Sequence, residues 1–234
     1  MGIIVIGVLI ALAAQQWAEA RSWTDKADAA RRALRTELAD HHEQAVEWRM
    51  VAPCIDAQLN ALESRVLSKR SSLDPAPLHS EDFYGEDPHT FAIRAPSRPY
   101  EDSVWLATNG EGVSSFLATE ERMELGWHYG QARDTDAQNE RITQLVSQLS
   151  ILTKPLELDP SVRMALLQQI AEARGHNRWM TIRTGQLLDH IAKLEMNAPR
   201  KRVDAFIAKS RTVRFCQAQR IKMLPVAKAL LPAP

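Results

Sequence analysis

Between Val8 and Ala52 the chain contains neither glycine nor proline. Nothing else in the sequence limits the possible folds so strongly. A stretch of about 45 residues without either helix breaker is far longer than any ordinary strand, and as one helix it would span about 65 Å. Within it Ala27, Ala30, Leu34, Leu38, Ala45 and Trp48 recur at three- and four-residue steps, which is a single helical stripe. The remaining sequence agrees with this. There are 9 Gly among 234 residues and few alternating apolar runs, so the expected class is all-α. Hydrophobic residues at 45% and charged residues at 25% indicate a folded chain rather than a disordered one. The formal net charge of zero gives no global field to gather nucleic acid, and no nucleic-acid partner is expected.

The start of that helix is apolar. Residues 2–14 read GIIVIGVLIALAA, followed by Gln15, Gln16 and Trp17. Thirteen residues at 1.5 Å each cover about 20 Å, against about 30 Å of bilayer hydrocarbon. Counting on to Ala18 reaches only the lower limit for a span. We read residues 1–20 as a transmembrane anchor contacting the lipid bilayer through residues 2–18, with 21–234 as a helical bundle domain. The other readings are the apolar core of a signal peptide and a helix buried in the core of a soluble protein. Arg21, Lys26, Arg31, Arg32 and Arg35 follow the segment and would place the domain in the cytoplasm. A basic lead upstream of the apolar run would reverse that orientation.

The run IIVIGVLIALAAQQWAEARSW resembles the opening of uncharacterised bacterial single-pass membrane proteins, which carry a "VIGVLIAL" helix, a Trp-bearing polar segment and then a helical region. The likeness covers about twenty residues and extends loosely to Ser103–Gly110, where a Ser-x-Trp element precedes a glycine. These families usually have a basic lead, which this chain lacks. The resemblance implies a bacterial inner-membrane protein with its folded domain in the periplasm, and it implies no activity.

Further elements follow in order. Pro53 either ends the first helix or restarts it, and Ile55, Leu59, Leu62 and Val66 give the next stripe. Residues 71–102 hold five prolines and form one long loop. A short helix opens at Asp102 or Ser103 and ends at Gly110. Thr119 caps a long helix from Glu120 to Leu152, with an expected stripe of Met123, Trp127, Gly130, Ala137, Ile142, Leu145, Leu149 and Leu152. Gly126 and Gly130 would admit close approach of a neighbouring helix. Asp159-Pro160 reads as a cap and first residue, and Gly175 as a bend. A last helix carries Val203 to Met223 and stops before Pro225. The expected architecture is an antiparallel bundle on a membrane-rooted helix.

Candidate chemistry is sparse. Cys54 and Cys216 are far apart, with no Cys-x-x-Cys; a disulfide between them is expected in an oxidising compartment, and two buried thiols are the other reading. Glu37/His41, Glu124/His128 and Glu172/His176 share an i, i+4 spacing that puts carboxylate and imidazole on one helix face. Bundle metal sites favour a three-residue spacing, so these read first as surface pairs. His41 and His42, beside Asp40 and Glu43, are also a candidate pH-sensitive or metal-catching surface. No hydrolase or phosphate-loop motif occurs, and neither a catalytic residue nor a cofactor is expected. Charge is uneven: Asp74 to Glu124 holds 11 acidic against 3 basic residues, whereas the chain from Arg200 holds 9 basic residues and only Asp204. The acidic region is expected against the basic one, or the basic face against anionic headgroups or an acidic partner.

The expectation is a membrane-anchored, non-enzymatic helical protein with a scaffolding, sensing or interaction role in the bacterial envelope, with a protein partner or a homo-oligomer. The alternatives are a metal-dependent helical-bundle enzyme built on Glu37 and His41, and a soluble helical module with a buried N-terminus.

Overall fold

The computed structural model describes residues 2–68, 70–75 and 91–230, with side chains from Ile6 onward except Gly7. One helix, α1 (Gly2–Val66), runs straight through Pro53 instead of ending there. A proline within a helix has no amide proton for the carbonyl four residues back, and its ring crowds the preceding turn. Here the Leu224 amide, from near the other end of the chain, donates to the Met50 carbonyl at 3.0 Å. The helix closes without a glycine. Arg163 donates to the Val66 carbonyl and, at 2.8 Å and 2.9 Å, to those of Ser68 and Arg70.

After α1 come β1 (Ser72–Leu73), α2 (Ser103–Gly110), a 3₁₀ turn at Val113–Phe116, α3 (Thr119–Gln148) and a second 3₁₀ turn at Leu149–Thr153. Then follow β2 (Leu156–Glu157), α4 (Pro160–Lys193), α5 (Arg200–Lys209), α6 (Arg211–Ala218) and α7 (Val226–Ala229). The all-α class holds, with one small addition. Within the expected loop, Ser72–Leu73 pairs antiparallel with Leu156–Glu157, while residues 76–90 lie outside the described residues.

α4 packs antiparallel to α1: Arg163 reaches Val66, Arg174 reaches Glu63 at 2.7 Å, and Asn177 reaches the Ala52 carbonyl at 3.0 Å. α4 is antiparallel to α3 as well, since Arg141 meets Glu172 while Glu124 meets His190. α1 and α3 are therefore parallel, which the long connection between them permits. Asp159 caps α4 through the Ser161 and Val162 amides at 2.7 Å and 2.9 Å, and the helix passes through Gly175 without ending.

The middle of α1 is enclosed. From Glu37 to Ala52 only Asp40 is exposed and Gln44 half-buried, so the narrow stripe read from the sequence is instead the axis of the molecule. The main core joins α1 (Trp48, Val51, Leu59), α3 (Ile142, Leu145), α4 (Ile170, Met180) and α6 (Val213, Phe215). A second cluster of Leu34, Leu38, Trp105, Leu125 and Ile191 fills the end nearer the chain start.

Three expectations are corrected. First, among the described residues no helix is long and apolar enough to cross a membrane. The apolar run ends at Ala14, and Gln15, Gln16, Glu19 and Arg21 fall inside the length a span needs. The transmembrane anchor at 1–20 and the inner-membrane, periplasmic placement built on it are withdrawn. Second, the expected stripe of α3 holds only in its second half, where Ile142, Leu145, Leu149 and Leu152 are buried; in the first half Leu125, His128, Tyr129, Ala132, Thr135 and Asn139 face inward, while Met123 and Trp127 are exposed. Gly126 and Gly130 have no neighbouring helix within contact of a Cβ. Third, the last helix is broken at Ser210, whose hydroxyl accepts the Val213 amide at 3.0 Å and so starts α6 afresh.

Candidate functional site

Two features stand out: a buried polar chain between α1 and α3, and the exposed start of α1. In the first, the segment leading into α2 lies across α1 and brings backbone groups to its side chains. Glu37, buried on α1, accepts the Tyr129 hydroxyl at 2.6 Å, the Val104 amide at 3.0 Å and the Ser103 hydroxyl at 3.3 Å. One turn on, His41 Nε2 lies 2.7 Å from the Glu101 carbonyl, and its Nδ1 lies 2.9 Å from His128 Nε2. A carbonyl only accepts, so Nε2 carries the proton when the ring is neutral. His41 Nδ1 is then the acceptor, and His128 Nε2–H the donor. His128 Nδ1 is left as a buried lone pair with no hydrogen-bond partner.

Burial keeps these rings neutral. It pushes His41 down to about 4, against the Glu101 carbonyl and the Asp102 charge, which pull the other way. Burial also lowers His128 well below the usual histidine range, with His41 and His190 adding to the effect. Tyr129 is pushed far up, by burial first and then by its bond to Glu37. Trp105 stacks on Tyr129 at 5.4 Å and closes one side. His41, His128 and Tyr129 therefore stay neutral near pH 7 and hold their protons in place.

The structure separates every candidate pair or gives it other partners. Glu37 and His41 bond to different groups. Glu124 turns to His190 and, at 3.3 Å, to Lys193, while His128 turns to His41. Glu172 keeps His176 at 3.7 Å but binds Arg141 Nη2 at 2.6 Å. Among the described residues no three His, Cys, Asp or Glu side chains form a group able to hold a metal ion. His42 is buried beside them, and burial takes it down to about 4. Cys54 and Cys216 are joined by a disulfide with Cα atoms 6.1 Å apart.

Several participants carried no readable signal. Tyr129 and His190 are single residues whose importance depends on helices meeting in space. Glu47 is another: it is buried, and holds Arg98 at 2.7 Å and the Ser210 hydroxyl. The basic segment answers to α1, with Arg202 bonded to Asp40 and, at 2.7 Å, to Glu43. Of the acidic residues expected against it, Asp102 pairs instead with Arg133, Glu121 with Arg31 and Glu124 with His190 and Lys193, while Glu81, Asp82, Glu86 and Asp87 lie outside the described residues.

The second feature is plain surface. Side chains at position 6 and from 8 to 22 are exposed, with Ile6, Val8, Leu9, Ile10 and Leu12 between 49% and 65% open and Trp17 at 67%. α1 therefore carries an apolar helical arm clear of the bundle. Compared with protein-family models, curated proteins and solved structures, the chain matches none of them.

Proposed function

We propose that this protein is a non-enzymatic helical interaction module that assembles through the apolar arm of α1. The observation that carries the reading is the exposure of Ile6, Val8, Leu9, Ile10 and Leu12 on a helix anchored by the bundle. Fully burying one such side chain is worth about 1.5–3 kcal/mol, so five half-open ones leave on the order of 5 kcal/mol for association. The residues from Ile3 to Ala14 are apolar around the whole helix. A single partner helix covers only one side of such an arm. Several arms packed together cover more of it, so self-association beyond a dimer is the expected form.

The metal-dependent alternative has less behind it. Glu37, His41, Glu124 and Glu172 each already bind protein groups that a metal would have to displace.

Light scattering after size exclusion tests the reading. The intact chain is expected to associate with rising concentration, and the triple variant Ile6→Asp, Leu9→Asp, Leu12→Asp to remain a monomer with unchanged circular dichroism. A monomer for both, or arm-dependent capture by phospholipid vesicles in place of self-association, overturns it.

A further inference from the structure

The backbone from Arg94 to Arg98 crosses α1 and faces the junction of α5 and α6, and a cleft of about 310 Å³ lies between them. Arg94, Arg98, Lys209 and Arg211 line it, with hydroxyls from Ser97 and Thr212. Among the described residues Glu47 is its one lining carboxylate, and that group is already engaged by Arg98 Nε at 2.7 Å and by the Ser210 hydroxyl. With Glu47 engaged by Arg98, Lys209 and Arg211 leave the cleft positive.

Arg98 is held in place on three sides. Its carbonyl accepts from Asn139 at 2.9 Å, its Nε is fixed by Glu47, and its guanidinium lies over Phe206 at 4.7 Å. Among the described residues its two terminal nitrogens have no hydrogen-bond acceptor, and neither Lys209 nor Arg211 has a carboxylate partner. The N-terminus of α6 opens at the same place. Ser210 takes the Val213 amide, so the amides of Arg211 and Thr212 remain without an intrahelical acceptor.

We propose that this cleft binds a small soluble phosphate, free or as a phosphate monoester. A fixed guanidinium fork matches two phosphate oxygens, and the flanking lysine and arginine supply the charge that a dianion needs. The first α6 amides add uncharged donors. The volume leaves room for a short organic group on the phosphate. This site is independent of the apolar arm, and failure of either reading leaves the other standing.

Titration calorimetry of the full chain, disulfide intact, tests it with inorganic phosphate and with glycerol phosphate, using sodium chloride at equal ionic strength as the reference. Saturable one-site binding is expected. The double variant Lys209→Gln, Arg211→Gln is expected to weaken it at least tenfold with the melting temperature unchanged. Arg32→Gln, Arg35→Gln removes the same charge from exposed sites on α1 and is expected to stay within twofold of the parent. No saturable heat with either phosphate overturns the proposal. So does equal weakening by both double variants, or binding confined to anionic phospholipid vesicles.

Discussion

The hydroxyl of Tyr129, 2.6 Å from Glu37, ties α3 to α1 with one atom. Tyr129→Phe removes it while leaving Glu37 the Val104 amide and the Ser103 hydroxyl, and is expected to cost about 1–2 kcal/mol in urea unfolding. The buried histidines set a pH dependence. In the unfolded chain His41 and His42 protonate near 6.5, whereas in the fold they do so near 4. Their contribution is fully present above 6.5 and is lost as pH falls from 6.5 towards 4. Between pH 7.5 and pH 5 each removes about 2 kcal/mol of stability. Glu43 works the other way, because burial raises its carboxyl against the pull of Arg202. Urea midpoints at the two pH values are expected to show a net loss on acidification, reduced in His42→Leu. At this scale the sequence was least legible. The spacing of Glu37 and His41 shows that they share a helix face, but their true partners Tyr129, Glu101 and His128 come from other elements.

Most helices could be read from local signals, because caps and breakers are local. Asp159-Pro160 fixes the start of α4, and Gly110 lies at the end of α2. The errors came where tertiary contacts override local chemistry. Pro53 reads as a boundary unless the Leu224 amide on Met50 is known. The second half of α3 reads correctly through Ile142, Leu145 and Leu149, but its first half reads with the wrong face inward because the buried stripe there contains His128, Thr135 and Asn139, while Trp127 lies outside. The arm of α1 belongs to this scale too. Its side chains from position 8 to 22 are exposed, so deleting residues 2–20 removes little folded-state burial. The shortened chain is expected to melt within a few degrees of the parent by circular dichroism and to lose self-association.

For the whole molecule, the disulfide between Cys54 and Cys216 spans 162 residues and joins the axis of the bundle to α6. Constraining so long a loop is worth about 3–5 kcal/mol in the chain-entropy account. Reduction, or Cys54→Ser with Cys216→Ser, is expected to lower the guanidinium midpoint by a corresponding amount with the helical spectrum retained. The parallel arrangement of α1 and α3 could not be read from the sequence, since it depends on the path of the connection and not on either helix. The same two contacts, Cys54 to Cys216 and Met50 to Leu224, impose an order in time. The centre of the first helix to leave the ribosome is completed by residues that leave some 160 positions later. Until then the Met50 carbonyl lacks the Leu224 amide and the Cys54 thiol lacks its disulfide partner. A nascent chain arrested before residue 216 is thus expected to be cut by protease near Pro53, and one released after residue 224 to resist.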